Sequence, residues 1–193
     1  MSEADHNPWK TLATRVAFEN PWLRLEEHDV INPGGGHNCY GKVCFKNLAV
    51  GVIPLDEQGN TWLVGQFRYT LGEYSWEIPE GGSPLGEDPV ATARRELREE
   101  TGLSAEIITP LLRIHTSNSV TDEEGFIYVA RGLSQGETEF EETEAITVRK
   151  LPFDEAVAMV MRGEITDSLS IAGLLKLATL RAGEGAYRGL TRW

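Results

Sequence analysis

The stretch from Gly81 to Leu103 constrains the fold of this chain more than any other part of the sequence. Asp88 is a good helix N-cap, Pro89 follows at the first helical position, where a missing N–H costs least, and Gly102 ends the last turn. These signals predict a helix from Pro89 to Thr101. Its apolar residues recur at helical spacing and should pack on a core: Val90, Ala93 and Leu97.

The same helix carries three glutamates on one side, Glu96, Glu99 and Glu100, with arginines between them: Arg94, Arg95 and Arg98. One interpretation is a solvated helix with ion pairs, such as Arg95 with Glu99. The other is a site for a hard divalent cation, since Mg²⁺ takes carboxylate oxygens and Glu96 would otherwise repel Glu100 one turn away. The residues alone leave both interpretations open.

The residues of the stretch follow the pattern G-x5-E-x7-R-E-L-x-E-E-x-G-L without a mismatch. The chain therefore resembles the Nudix hydrolases, which share this signature. The resemblance implies an α+β fold, an α/β/α sandwich of Nudix type with a mixed central sheet. It also implies hydrolysis of a nucleoside diphosphate linked to another group, by attack of water on one phosphorus of the pyrophosphate.

The resemblance assigns roles to residues of the helix and of the segment before it. It implies Mg²⁺, with Mn²⁺ as an alternative, held by the glutamates of the helix and by the backbone carbonyl of Glu80: Glu96, Glu99, Glu100 and Glu80. Glu99 is also a candidate catalytic residue. Arg95 should position a carboxylate by an ion pair, and Glu87 should be structural.

Two segments before the helix resemble one branch of the family, the ADP-ribose and nucleotide-sugar pyrophosphatases. Gln66-Phe67-Arg68-Tyr69 matches the Q-x-R-Y segment of that branch, and residues 75–82 match its E-x-P-A-G entry except at Glu80, where alanine is usual. This implies that Arg68 and Glu77 contact the substrate. Trp22, which follows a turn in the N-terminal strands, is a further candidate contact, stacking on a base. A simpler interpretation of Arg68 is an ion pair with an acid on a strand, and Trp76 should lie in the core.

The general base of that branch lies on the loop after the signature helix. The corresponding loop here runs from 116 to 124 and contains Asp122, Glu123 and Glu124. Glu123 aligns with the family's base, and Glu124 is the alternative. His115 borders this loop and is interpreted as a strand-end residue.

The rest of the chain predicts mostly strands. Residues 11–19 and 22–31 should form a hairpin, and a third strand from about 38 to 47 should complete an N-terminal antiparallel unit. We therefore expect an appendage at 1–47 and a Nudix domain at 48–193. The resemblance to the pyrophosphatase branch implies that the appendage serves dimerisation and contributes to the partner's substrate pocket. Within the second region, the patterns at 48–55 and 61–69 predict a buried hairpin. Residues 135–144 should form a solvated acidic loop. Two helices are predicted at 153–162 and 168–181, the second capped by Asp167.

The composition excludes several classes of partner. With a formal charge of −12, the protein would repel nucleic acid and anionic membranes, so an anionic substrate needs a local cation. No segment has the length and hydropathy of a signal peptide or a membrane span. Cys39 and Cys44 fall on opposite faces of one predicted strand and should not pair, which favours a reducing cytoplasm.

The sequence thus predicts a cytoplasmic, homodimeric, Mg²⁺-dependent hydrolase of ADP-ribose or a related nucleotide sugar, with no nucleic-acid or membrane partner. Two alternatives stay open. A nucleoside triphosphate or dinucleoside polyphosphate hydrolase shares the signature but usually lacks the N-terminal strands. A non-catalytic nucleotide sensor is disfavoured because none of the metal glutamates is missing.

Overall fold

The computed structural model describes residues 6–138 and 145–183. Contacts divide the described chain into two units, one formed by residues 6–47 with 117–123, the other by 48–116 with 124–138 and 145–183. The first unit contains three strands, β1 (Lys10–Glu19), β2 (Leu23–Ile31) and β3 (His37–Phe45). Among the described residues, no helix is long and apolar enough to cross a membrane.

The first unit is an antiparallel sheet in the order β1-β2-β3, which confirms the predicted N-terminal hairpin and third strand. The side chain of Asn20 shapes the first turn by accepting from the backbone N–H of Trp22 at 2.9 Å and of Leu23 at 2.8 Å. The loop 117–123 joins this sheet, because Val43 donates to the carbonyl of Val120 at 2.9 Å. The sequence does not predict that grouping.

The second unit contains seven strands and three helices: β4 (Asn47–Pro54), β5 (Asn60–Arg68), β6 (Glu73–Glu77), β7 (Glu80–Pro84), α1 (Pro89–Thr101), β8 (Leu103–His115), β9 (Glu124–Gln135), β10 (Thr147–Pro152), α2 (Phe153–Met161) and α3 (Ser168–Ala182). One sheet has the order β7-β4-β9-β8 and is mixed, since β4 runs parallel to β9 and β8 antiparallel to it. The other has the order β10-β5-β6. The mixed sheet and the α+β class are as predicted.

The helix of the signature spans the predicted residues. Asp88 accepts from the backbone N–H of Val90 at 3.0 Å, and Gly102 ends the helix with φ 71°, a left-handed conformation that suits glycine. Asp167 caps α3 through the N–H of Ser170 at 2.7 Å, also as predicted. Local capping signals therefore place both helices correctly.

The predicted hairpin of residues 48–55 and 61–69 is wrong. Its turn exists, with Asp56 donating to the carbonyl of Asn60 at 3.0 Å, but the two strands belong to different sheets. Both edges of β4 are taken by β7 and β9, and Leu55 still donates to Ala130 of β9 at 2.9 Å. A strand paired on both edges has no edge left for β5, so the turn connects two sheets.

The predicted acidic loop at 135–144 lies mostly outside the described residues, because residues 139–144 are not among them.

The two faces of β4 explain where α1 is fixed. Val50 and Val52 pack with Ala93 and Leu97 of α1, whereas Ile53 packs with residues of α2 and α3. Successive side chains of a strand point to opposite faces, so one strand serves both clusters. The helix that carries the acidic residues is thereby anchored to the middle of the mixed sheet.

Candidate active site

Two glutamates of α1 lie against the backbone of β7. The Glu100 side chain is buried, and its Oε2 accepts from the backbone N–H of Glu80 at 2.9 Å. The Glu96 carboxylate lies so close to Gly81 that a Cβ at that position would overlap it. A glycine is therefore required there, which gives a physical reason for the first residue of the signature.

Glu99 is held differently, by Arg95. Arg95 Nη1 lies 2.9 Å from Glu99 Oε2 and 2.8 Å from Glu96 Oε1, and its Nη2 donates to the carbonyl of Gly82 at 3.1 Å. The predicted ion pair between Arg95 and Glu99 is thus present. Arg95 fixes two carboxylates of α1 relative to the strand that precedes the helix.

Glu87, the first glutamate of the signature, makes a contact of another kind. Its Oε1 accepts from the hydroxyl of Thr92 at 2.9 Å, and the Thr92 hydroxyl oxygen also lies 2.9 Å from Ser83 Oγ. These contacts join the loop before α1 to the first turns of the helix. They agree with a structural role for Glu87.

A second cluster of charges surrounds Arg68, at the end of β5. Arg68 Nε donates to Glu77 at 2.8 and 3.1 Å, Nη2 makes a further contact with Glu77, and Nη2 lies 3.2 Å from Glu80 Oε1. The hydrogen bonds that Arg68 donates to Glu77 raise the pKa of Arg68 above its ordinary value, against the opposing effect of burial. Arg68 therefore forms the ion pair with an acid on a strand that its simpler interpretation predicts, and its contact with the substrate stays a prediction. The Glu77 side chain is buried, and its carboxylate is paired with this arginine.

Glu80 is the residue at which the sequence departs from the family branch, and its carboxyl group is unusual. Its Oε2 is buried without a hydrogen-bond partner. Burial, followed by the negative charges of Asp167 and Glu77, raises the pKa of Glu80 well above its ordinary value, and Arg68 only partly opposes this. The sequence gives no signal for the contribution of Asp167, which lies far away along the chain on the cap of α3.

The donor atoms gathered here suit a hard divalent cation. Carboxylates of Glu96 and Glu100 meet the backbone at Glu80 and Gly81, and the Glu80 side chain adds a buried oxygen that lacks a partner. Mg²⁺ and Mn²⁺ prefer such oxygen ligands. Among residues 6–138 and 145–183, no three acidic, histidine or cysteine side chains are already arranged to hold a metal ion. Backbone carbonyl and water ligands would therefore have to complete the shell.

Glu123 and Trp22, the remaining predicted site residues, both belong to the first unit. The backbone N–H of Glu123 donates to Thr121 Oγ1 at 3.0 Å, and the Trp22 side chain is 65% exposed. Glu124, the alternative base, is the first residue of β9 and pairs with Arg113 on β8. His115 is the last residue of β8, as predicted.

The structure thus brings six of the predicted site residues together in the second unit: Arg68, Glu77, Glu80, Glu96, Glu99 and Glu100. Sequence reasoning missed Ser170, whose Oγ accepts from the N–H of Ile78 at 2.9 Å and so helps to fix the segment between Glu77 and Glu80. A buried serine on a distant helix carries no recognisable sequence signal.

Comparison with known families decides which fold family the chain belongs to. Residues 45–169 match the NUDIX domain, and residues 9–42 match the nucleoside diphosphate sugar hydrolase N-terminal domain. The chain is a Nudix family member. Nudix hydrolases generally need a divalent metal, which agrees with the oxygen atoms gathered on α1 and β7.

Two characterised relatives cover most of this Nudix chain. It is 36% identical to the ADP-ribose pyrophosphatase of Mycobacterium tuberculosis (98% of this chain, 93% of the relative). It is 32% identical to the ADP-ribose pyrophosphatase of Bacillus subtilis (82% of this chain, 86% of the relative). A crystal structure described as an ADP compounds hydrolase superposes with a TM-score of 0.82 at 20% identity, covering 92% of this chain and 96% of that one, and shows the same fold.

Proposed function

We propose that this protein hydrolyses the pyrophosphate linkage of a nucleoside diphosphate sugar, ADP-ribose or a related compound, to a nucleoside monophosphate and a sugar phosphate. The observation that carries the proposal is the acidic face of α1 meeting the backbone of Glu80 and Gly81. The match of residues 9–42 to the N-terminal domain of nucleoside diphosphate sugar hydrolases supports this substrate class over triphosphates.

The metal in this proposal is Mg²⁺, with Mn²⁺ as an alternative. It would be held by the glutamates of α1 and the backbone carbonyl of Glu80: Glu96, Glu99, Glu100 and Glu80. When bound, such a cation polarises phosphate oxygens and lowers the pKa of a bound water. It also supplies positive charge to a protein with a formal charge of −12.

The chain's own residues divide the remaining work. Glu123 accepts the proton of the attacking water, and Glu124, whose carboxylate pairs with Arg113, is the alternative base. Glu99 is a second candidate for a catalytic role, and Arg95 holds its carboxylate in place. Arg68, held by Glu77, presents its exposed edge to the substrate, and Trp22 is an exposed aromatic ring on which a base can stack.

The N-terminal unit has a further part in the proposal. Its outer strand β1 is exposed along its whole length and carries exposed apolar side chains: Leu12, Val16 and Phe18. Exposed apolar residues on a sheet suit a protein interface. We therefore propose a homodimer formed through residues 1–47, in which the N-terminal unit of each protomer contributes to its partner's substrate pocket. We propose that the protein acts in the cytoplasm.

A substrate panel tests the proposed function. The pure protein is incubated with ADP-ribose, GDP-mannose, UDP-glucose and nucleoside triphosphates, with and without Mg²⁺, and the products are separated by chromatography. We expect a nucleoside monophosphate and a sugar phosphate from at least one nucleotide sugar, only with metal. Release of pyrophosphate from triphosphates alone would contradict the substrate class, and tight binding without turnover in Mg²⁺ or Mn²⁺ would indicate a sensor. Light scattering measures the molar mass in solution and so tests the proposed dimer.

A further inference from the structure

Residues 78–80 lead from β6 into β7 and are held by two helices. The middle residue is a proline, so this connection has only two backbone N–H groups. Ile78 donates to Ser170 Oγ on α3 at 2.9 Å, and Glu80 donates to Glu100 Oε2 on α1 at 2.9 Å. Each N–H of the connection is therefore bound by a side chain of a different helix.

The connection is also in close contact with the strand β4. The carbonyl of Pro79 accepts from the backbone N–H of Val52 at 2.8 Å. The Ile78 side chain is fully buried and lies so close to Gly51 that a Cβ there would come within 2.7 Å of Ile78 Cδ1. Close packing of this kind leaves little room for movement toward β4. The exact position of the connection therefore depends on its hydrogen bonds to α3 and α1.

Ser170 is itself held in place. It is fully buried in the first turn of α3, and its backbone N–H donates to Asp167 Oδ2 at 2.7 Å, so the helix cap fixes the turn that carries the hydroxyl. Without the hydroxyl, the buried N–H of Ile78 would lose this acceptor, and a buried donor without an acceptor is costly. The connection would relieve that cost by moving, and the movement would displace the carbonyl of Glu80.

We infer that Ser170 is a positioning residue of the active site, which fixes the carbonyl of Glu80 through residues 78–80 and so sets the affinity for a divalent cation. The inference rests on the proposed function, in which that carbonyl is a metal ligand. Ser170 acts through Ile78 and touches neither the metal nor the substrate in this account. Residues that orient metal ligands typically change metal affinity by roughly 10- to 100-fold when they are replaced.

Mn²⁺ binding to Ser170→Ala, measured by electron paramagnetic resonance, tests the inference. We expect the Kd for Mn²⁺ to rise about tenfold relative to the unmodified protein. In steady-state kinetics with ADP-ribose, the variant should need more Mg²⁺ for half-maximal rate, while kcat at saturating Mg²⁺ changes much less, because every ligand is still present. Unchanged Mn²⁺ binding by folded Ser170→Ala would overturn the inference and leave the proposed function standing. An unmodified protein that binds no Mn²⁺ would overturn both.

Two control variants separate positioning from a general loss of stability. Thr179→Ala removes a hydroxyl from the same helix, where it donates to the carbonyl of Leu175 at 2.8 Å and is exposed. Ile165→Val removes one carbon from a buried residue of the hydrophobic cluster that contains Ile78, which lowers stability but leaves the hydrogen bond to Ser170 in place. Both should bind Mn²⁺ as the unmodified protein does. Weakening in Ile165→Val equal to that in Ser170→Ala would overturn the inference.

Hydrogen exchange of the unmodified protein gives a test that does not depend on the folding of any variant. Coupling between two sites is reciprocal, so a metal whose affinity depends on Ser170 must in turn stabilise the first turn of α3. We expect Mg²⁺ to slow amide exchange, measured by mass spectrometry, in residues 77–80 and also in residues 168–171. Slower exchange in 77–80 alone would show that the effect of the metal ends at the connection, and would overturn the inference.

Discussion

The second unit holds two clusters of carboxylates that are stabilised in opposite ways. Glu96 and Glu100, on α1, lie against backbone atoms of Glu80 and Gly81, and Arg95 pairs with Glu96. Glu77 and Glu80, on β6 and β7, instead surround the guanidinium of Arg68. The first cluster is fixed by contacts with backbone atoms and with Arg95, whereas the second surrounds a cation.

The difference indicates that the helix and the strands have different roles in the site. An excess of carboxylate charge on a rigid helix is stabilised by a bound divalent cation. An arginine held by two carboxylates gains a fixed orientation, but it attracts anionic substrates less than an unpaired one would. On this basis, α1 should control the chemical step, whereas the Arg68 cluster should control local stability and substrate positioning.

The largest effect is expected from Glu100→Gln, which tests the role of the helix cluster. Glutamine keeps an acceptor for the N–H of Glu80 but removes the charge. We expect kcat with ADP-ribose and Mg²⁺ to fall about 10³-fold, the scale of removing a main electrostatic contribution to the transition state. Mn²⁺ binding, measured by electron paramagnetic resonance, should weaken in parallel. The control is Glu57→Gln, on an exposed turn, and an active Glu100→Gln protein would refute the assignment.

The next effect concerns a base that belongs to neither cluster. Glu123→Gln should lower kcat by about 10², since general base catalysis contributes on this scale. Glu124→Gln should change kcat much less, because Glu123 and not Glu124 aligns with the base of the family branch. Steady-state kinetics of the two variants separate these roles. The reverse order of effects would move the base to Glu124, and two unaffected variants would move it to α1.

Removing a carboxylate from the strand cluster should lower the stability of the fold more than it lowers the rate of the chemical step. Glu77→Ala leaves Arg68 without its main partner in a largely buried position, and we expect a loss of roughly 2 kcal/mol in the free energy of unfolding, below the usual range for buried pairs because Arg68 is 35% exposed. Urea denaturation of the metal-free protein measures it. Glu27→Ala, which breaks the exposed pair with Arg15, should cost less than about 1 kcal/mol. Equal losses would contradict the comparison.

The helix cluster could be predicted from the sequence because its signals are local. Asp88, Pro89 and Gly102 define the helix, and the spacing of Glu96 and Glu100 defines its acidic face. The same local signals predict the Arg95–Glu99 pair. Each of these contacts depends on residues within about one or two helical turns, where the geometry is fixed by the helix itself.

The strand cluster could not be predicted in the same way. Arg68, Glu77 and Glu80 meet only because β5 pairs with β6 in one sheet while β7 pairs with β4 in the other. The sequence predicted a hairpin of β4 with β5, whereas the two strands belong to different sheets. The surroundings of Glu80 also include Asp167, which comes from the cap of α3. Contacts between segments far apart in the chain depend on the pairing of sheets, which alternation of residue types does not encode.

The smallest effect, Glu80→Gln, tests whether the strand cluster contains a carboxyl group that resists ionisation. Burial and the charges of Asp167 and Glu77 raise the pKa of Glu80 in the folded protein. A carboxyl with a raised pKa binds its proton more tightly when folded, so its favourable contribution is present below the unfolded pKa and is lost as pH rises through the folded pKa. The unmodified protein should therefore lose stability over that range relative to Glu80→Gln, which carries no titrating proton.

The measurement is urea denaturation of metal-free protein from pH 4 to pH 8, roughly the range in which a carboxyl with a raised pKa titrates. We expect the difference in the free energy of unfolding between Glu80→Gln and the unmodified protein to shift in favour of the variant as pH increases. Glu80→Ala, which restores the residue usual in this branch, should show the same trend, because it also removes the proton although it loses the contact with Arg68. A difference that stays constant with pH would show that Glu80 ionises in the folded protein as it does in the unfolded chain, and would contradict the raised pKa.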